Sequence, residues 1–347
     1  MEQLFTREEF RNLIFQRDKN KCVICGKSEN LDAHHIVDRR LWDDGGYYLA
    51  NGATLCQDHH IQAEQTVLSC EELRFAALID KVIIPPTFYD DEEIDKWGNV
   101  ILPNGQRFIG ELFFDDSVHK ILESGGALNQ FTKFIKYPKT SHLPWSPGIT
   151  KQDRVMKPTE VKKNFEGREI IITEKLDGEN TTLYPNYLHA RSIDGRNHVS
   201  RSWIKNLHAK IKYDIPDGWR ICGENLYAKH TIPYINLSSY FMVFAIFNEK
   251  NTCLNFLETV EYCKLIGLNC IQPKFIMEYN EKFIKENCYS GKSMYGGEQE
   301  GYVVRLSSEI PFSNYKNGIA KYVRINHVQT NHNWMYQPVV KNGMVNS

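Results

Sequence analysis

The chain has 347 residues, 41% hydrophobic and 24% charged, which supplies packed cores and excludes a disordered polymer. At roughly 100–200 residues per domain, two or three domains are expected. Lys and Arg number 42 against 43 Asp and Glu, a formal net charge of −1 that on its face excludes a strongly basic nucleic-acid binder. The average hides a division, because residues 1–130 hold 13 basic and 23 acidic side chains while residues 131–347 hold 29 and 20. Different partners are therefore expected for the two parts.

Residues 1–20 predict a helix, with Leu4, Phe5, Phe10, Leu13 and Ile14 at three-to-four spacing. The opening MEQLFTREEFRNL lacks a signal-peptide core, and no apolar run reaches the roughly 18–20 residues of a membrane span. Two metal-type clusters follow, CVIC at 22–25 and LCQDHH at 55–60, on either side of DAHHIV at 32–37. The nine cysteines are odd in number, and only Cys22 and Cys25 are tightly spaced. That usage predicts a reducing compartment, hence a soluble cytoplasmic protein with no membrane partner. Residues 61–80 resume a helical pattern that VIIPP at 82–86 stops.

From Thr87 to about Gln130 the chain carries the acidic run Asp90–Asp95 and a hairpin-like segment, WGNVILPNGQRFIGELFF, turning at Asn104-Gly105. No chemistry is legible there, and a structural connector is expected. From Phe131 the composition turns basic, and PKTSHLPWSPG at 138–148 reads as an extended lead-in. Strand patterns at 169–174, 219–224, 240–247 and 301–306 alternate with helical ones such as 256–265, which predicts an α+β class. The expected domains are 1–80, 81–130 and 131–347.

The most specific string is Glu174-Lys175-Leu176-Asp177-Gly178-Glu179-Asn180, directly after the β-rich REIIIT. Downstream come ICGENLYAKH at 221–230, YFMVFAIF at 240–247, EQEGYVVR at 298–305 and GIAKYVR at 318–324. Their order and spacing over 131–347, with HLPWSPG, resemble the ATP-dependent RNA ligases of the covalent nucleotidyltransferase superfamily. The resemblance implies an ATP-grasp-like ligase core of antiparallel sheets with helices. It implies Lys175 as the nucleophile that takes AMP from ATP, a step that needs the neutral amine. It further implies that Glu224 contacts ribose, Phe244 stacks on adenine, and Glu300 organises Mg²⁺ or Mn²⁺. Lys321 and Arg324 would bear on the phosphates, although the family usually writes K-x-K there. Arg191 would lie beside AMP and the acceptor end, Asn180 against phosphate, and Glu174 against adenine.

In the first part, Cys22, Cys25, Cys56 and His59 have the spacing of a Cys₃His zinc site. Residues 20–66 resemble the HNH, or ββα-metal, endonucleases. The likeness implies His34 as a catalytic-metal ligand, His35 as general base, Asn51 as support of the hairpin and member of the metal-site set, and His60 as second ligand. Glu64, one turn after His60, could face the same ion. Because the family more often has a fourth cysteine, the sequence leaves open which of His59 and His60 serves zinc.

The combined expectation is an ATP-dependent RNA ligase joining 5′-phosphate and 3′-hydroxyl ends, fused to a small zinc-stapled ββα-metal domain that cuts or recognises ends, in RNA repair. Two alternatives stand: a DNA ligase with the same chemistry, and an HNH nuclease whose ligase-like half binds nucleotide or RNA. Only 23 residues follow Arg324, too few for the oligonucleotide-binding barrel usual in DNA ligases, which favours RNA. The oligomeric state is left open.

Overall fold

A computed structural model of the chain describes residues 3–88, 92–150, 153–190, 198–325 and 339–345. It divides into two compact units, Met1–Pro138 and Lys139–Ser347.

The first unit opens with helix α1 (Arg7–Arg17), started by Thr6 and Glu9 in a reciprocal capping box. Its apolar face, Phe10 and Ile14, is buried. Strands β1 (Leu31–His35) and β2 (Gly52–Cys56) form an antiparallel hairpin with His34 opposite Ala53. Helix α2 (Gln57–Glu64) leaves directly from β2, so hairpin and helix form a ββα unit. Helix α3 (Cys70–Ala76) follows, capped by Ser69 and Glu72. The helical pattern expected over 61–80 is thus interrupted at 65–69, where Thr66 takes a left-handed backbone with φ 59°.

Strands β3 (Val100–Ile101) and β4 (Arg107–Ile109) pair antiparallel around the Asn104-Gly105 turn, where Gly105 has φ 79°. Helix α4 (Asp116–Ser124) then packs Val118 and Leu122 on Trp97. Strand β5 (Phe131–Ile135) pairs parallel with β4. Within this unit Trp97 Nε1 donates to the Glu64 carbonyl at 2.8 Å and Arg107 donates to Thr66 Oγ1 at 2.7 Å, tying the 95–107 segment to the end of α2 and the turn after it. Asp95 and Trp97 of this segment are only 3% and 2% exposed.

The second unit is two sheets with helices. Strand β6 (Ser141–His142) and helix α5 (Pro158–Phe165) lead into β7 (Glu169–Lys175), β8 (Glu179–Leu183) and β9 (Leu188–Ala190). Then come α6 (Ser202–Ile211), β10 (Arg220–Asn225), β11 (Phe241–Phe247), β12 (Thr252–Cys253) and α7 (Phe256–Leu265). The rest is β13 (Asn269–Cys270), β14 (Pro273–Glu278), α8 (Glu281–Asn287), β15 (Gly301–Leu306), β16 (Ile310–Pro311), α9 (Phe312–Tyr315) and β17 (Ile319–Val323). One sheet has the order β14-β7-β15-β17-β6, and the other β16-β12-β11-β10-β8-β9 with β13 beside β11.

The unbroken apolar runs explain the central strands. Ile170, Ile171 and Ile172 of β7 are all buried, as is every residue of β11 except Phe244. The chain crosses between sheets through Leu176-Asp177-Gly178, so Lys175 ends one sheet and Glu179 begins a strand of the other. No helix among the described residues is long and apolar enough to cross a membrane.

Candidate functional sites

Antiparallel pairing sets Gly301 of β15 opposite Lys175 of β7, which brings Glu300 to the lysine. Lys175 Nζ donates to both carboxylate oxygens of Glu300, at 2.7 and 2.6 Å. The Glu300 side chain is 5% exposed and that of Lys175 25%. Gly301 is required here, because a Cβ would fall 1.8 Å from the Tyr322 carbonyl oxygen. From the other sheet, Glu224 accepts from Gly178 N–H at 3.1 Å and lies directly across from Asn180. Gly178 permits that approach, since a Cβ would meet the Asn225 carbonyl at 2.6 Å.

Burial pulls the Lys175 amine down, but Glu300, Glu224 and Asp177 outweigh it and hold the pKa above the usual lysine value. These partners favour the ammonium, so the neutral amine that attack on ATP needs must be generated at that step. Burial pushes Glu224 up to about 8, with Lys175 opposing the shift and Glu300 reinforcing it. Burial raises Glu300 as well, against the pull of Lys175.

Asp177 fixes the turn after the nucleophile. Its carboxylate accepts from Thr231 and Ile232 N–H at 2.8 and 2.9 Å, and its own N–H donates to Tyr234 Oη at 2.8 Å. Asn342 braces the same loop by accepting from Tyr234 N–H at 3.0 Å and donating to the Leu226 carbonyl at 2.8 Å. Neither role is legible in sequence, because each joins segments more than 50 residues apart.

Glu174 is 1% exposed; one oxygen accepts from Met294 N–H at 2.8 Å and the other, Oε1, has no partner. Asn180 Oδ1 is likewise buried without a hydrogen bond. Both unmet acceptors suit a ligand that donates hydrogen bonds. Phe244 sits at a β-bulge, the residue skipped as Ala245 pairs Cys222 and Val243 pairs Gly223. It is the one partly exposed side chain of β11, and a bulge re-aims a side chain in this way.

Lys321 on β17 lies 3.7 Å from Asp153, which also meets His142 Nε2 at 3.2 Å. His142 Nδ1 is 2.9 Å from Ser146 Oγ, which accepts from Val323 N–H at 2.9 Å. The HLPWSPG lead-in is therefore laced to the strand of Lys321. Arg324 pairs with Glu298 at 2.6 Å, so in this state it is directed to a carboxylate. Arg191 lies outside the described residues. Glu179 and Arg201, a bidentate pair with contacts of 2.6–3.1 Å, were not singled out by sequence reasoning.

In the first unit, Cys22, Cys25, Cys56 and His59 converge with ligand atoms within 4.8 Å of one another. Cys25 and Cys56 sulfurs are 3.8 Å apart, and His59 Nδ1 is 3.5 Å from Cys22 and 3.2 Å from Cys56. A tetrahedral zinc with Zn–S of about 2.3 Å and Zn–N of about 2.0–2.1 Å requires S···S near ~3.8 Å and S···N near ~3.5 Å. The set fits. Burial raises the thiol pKa of Cys22 and Cys56, yet backbone N–H groups aimed at the sulfurs pull both below the usual value.

His34, His60 and Glu64 form a second cluster. His34 is 1% exposed, and neither ring nitrogen has a hydrogen-bond partner. Its Nδ1 is 3.6 Å from Glu64 Oε1, and His60 Nε2 is 3.8 Å from the same oxygen. An unpartnered buried imidazole beside a carboxylate fits a divalent ion. The structure thus separates the two histidines: His59 belongs with the sulfurs and His60 with His34. Successive helical residues point about 100° apart, which sends them to different clusters.

His35 stands outside the second cluster, its ring stacked on Phe10 at 4.7 Å and edge-on to Tyr47 at 5.0 Å. Burial, aided by Lys96, lowers its pKa to about 4. The Asn51 side chain accepts from Val37 N–H at 2.9 Å and donates to the carbonyls of Val37 and Gly46 at 3.0 and 3.1 Å. It is a loop clamp.

Residues 168–323, in the second unit, match the family model described as RNA ligase. No curated protein matches the chain. Among solved structures, a Naegleria gruberi RNA ligase mutant with ATP and Mn is similar at 16% identity and TM-score 0.35, covering 48% of this chain and 52% of that one. The Naegleria gruberi RNA ligase with PPi gives 16% and 0.34 over the same shares, and a mutant with AMP and Mn 15% and 0.36. The chain spans about half the length of these ligases, 52% in each case.

Proposed function

We propose that the second unit is an ATP-dependent RNA ligase acting through a lysyl-AMP on Lys175. The observation that carries the reading is the Lys175–Glu300 pair, faced by Glu224, within the stretch that matches the RNA ligase family.

The lone pair of Lys175 Nζ would attack the α-phosphorus of ATP, the bond to the bridging oxygen would break, and pyrophosphate would leave. Nζ must first lose a proton. A Mg²⁺ or Mn²⁺ ion held by Glu300 would supply charge to the phosphates and draw the carboxylate from the amine, lowering its pKa. The unmet oxygen of Glu174 would accept from the adenine amino group, Phe244 would stack on the base, and Glu224 would bind the ribose. Asn180, Lys321, Arg324 and Arg191 are assigned to phosphate. A 5′-phosphate oxygen then takes AMP from Nζ, and a 3′-hydroxyl attacks the 5′-phosphorus, releasing AMP.

Incubation with α-labelled ATP and Mg²⁺ should leave label covalently on the protein, and no trapped label would reject the reading. Sealing of nicks with an RNA or a DNA 3′-hydroxyl side separates RNA from DNA ligation; faster sealing of the RNA end is expected. Phe244→Ala should raise KM for ATP roughly ten-fold with little change in kcat, as expected for a lost stack. Glu300→Gln, in the ATP-free protein, should lower the midpoint at which Lys175 titrates, read by NMR of the lysine side chain. An unmoved midpoint would remove Glu300 as the group that holds the ammonium.

For the first unit, the proposed reading is a zinc-stapled ββα module with a divalent ion on His34, His60 and Glu64. His35 is its candidate base for cutting nucleic acid, a pairing of activities suited to RNA repair. A metal-dependent cut that survives His35→Ala would remove that base.

A further inference from the structure

The turn at 95–99 delivers a lysine into the His34–His60–Glu64 cluster. Lys96 Nζ lies 3.1 Å from Glu64 Oε1 and donates to the His35 carbonyl at 2.8 Å, and its side chain is only 6% exposed. Three nitrogens, from His34, His60 and Lys96, therefore converge on one carboxylate oxygen, and the lysine is nearest.

The position is built rather than incidental. Asp95 Oδ1 accepts from the N–H groups of Trp97 and Asn99 at 2.9 and 3.0 Å, while Oδ2 takes Arg107 at 2.9 Å. Lys96's own carbonyl accepts from Asp38 N–H at 2.9 Å. Trp97 Nε1 donates to the Glu64 carbonyl at 2.8 Å, so one turn fixes both the lysine and the backbone of its carboxylate partner.

We propose that Lys96 is a resident cation of this centre, holding the Glu64 carboxylate until a divalent ion displaces it and thereby setting how tightly that ion binds. The proposal rests on the reading of His34, His60 and Glu64 as a metal centre. A fixed positive charge beside a divalent ion opposes binding, and it does so strongly where water is excluded. The carboxylate cannot serve both cations at full strength. With Lys96 in place, His34 and His60 offer two imidazole nitrogens and a shared oxygen, a weak set for Mn²⁺ or Mg²⁺.

The test is Mn²⁺ titration of the full chain, followed by the EPR signal of free Mn²⁺. The portion abolished by His34→Ala is scored, which sets aside ions bound elsewhere. Lys96→Met should tighten that portion at least about ten-fold, and Lys96→Gln, which can still donate to the His35 carbonyl, should do the same. Lys96→Arg, which keeps the charge, should stay near the wild-type affinity. Wild-type affinity in a folded Lys96→Gln or Lys96→Met variant, with Cys/His zinc content unchanged, would overturn the role of Lys96. If His34→Ala removes no Mn²⁺ binding from wild type or from either neutral variant, the metal centre itself is absent and the proposal goes with it.

Discussion

Lys175→Ala is expected to abolish the covalent label from α-labelled ATP, a loss of more than about 10⁴-fold in single-turnover adenylylation, because it removes the amine that the proposed in-line attack uses. Lys175→Arg should be as inactive despite keeping the charge, since a guanidinium with a pKa above roughly 12 offers no neutral nucleophile. Label persisting in either variant would move the nucleophile elsewhere. A pH profile sharpens the test. The partners Glu300, Glu224 and Asp177 raise the lysine pKa against burial, so below that value the amine is an ammonium and inert. The rate should climb with pH, about ten-fold per unit, until the pKa in the ATP complex is passed. The Lys175–Glu300 pair runs the other way for stability. The lysine's share is present below its unfolded pKa and lost as pH rises through the elevated folded one, and on the acid side the pair is lost as pH falls through the Glu300 pKa, which burial raises.

Removing the Cys/His staple should be the largest effect on stability. Structural zinc contributes roughly 10–16 kcal/mol of apparent binding energy to small zinc modules at pH 7, and much of it is folding energy. A chelator, or Cys56→Ser, should therefore release zinc and unfold the β1–β2 hairpin with α2. Amide exchange over Leu31–Glu64 would then lose its protection. The hairpin is two strands of five residues each, too little sheet to stand alone. Adenylylation of Lys175 should survive, because its partners all lie in Lys139–Ser347. A hairpin that keeps its protection after quantitative chelation would show that packing of Phe10 and Ile14 suffices without metal. Loss of adenylylation on chelation would show that the two units depend on each other.

Much of the second unit is legible in the amino-acid order. Ile170–Ile172 and the run FMVFAIF are apolar without interruption, so they are read as buried strands, and β7, β11 and β15 lie within a residue of their expected bounds. The lysine and Glu300 are found by the strings around them. The bulge that singles out Phe244 is not legible, because it exists only in the pairing of β10 with β11. Nothing local marks Lys96, which directly follows the acidic run Asp90–Asp95. Its partners, Glu64 and His35, are 32 and 61 residues away.

The opening balance of charge changes meaning in the same way. Two of the acids in residues 1–130 are paired within the fold, Asp95 with Arg107 and Glu64 with Lys96. By itself the sequence determined which residue types are present for the proposed nucleotidyl transfer and the proposed zinc site, since those chemistries demand a lysine, carboxylates and thiols at short spacings. Only the tertiary structure decided which histidine joins which cluster and which lysine stands at Glu64. It also set Glu300, Glu224 and Asp177 against Lys175, which raises the lysine pKa. Each of these depends on the direction of a side chain and the charges facing it, and those are set by segments that meet only when the chain has folded.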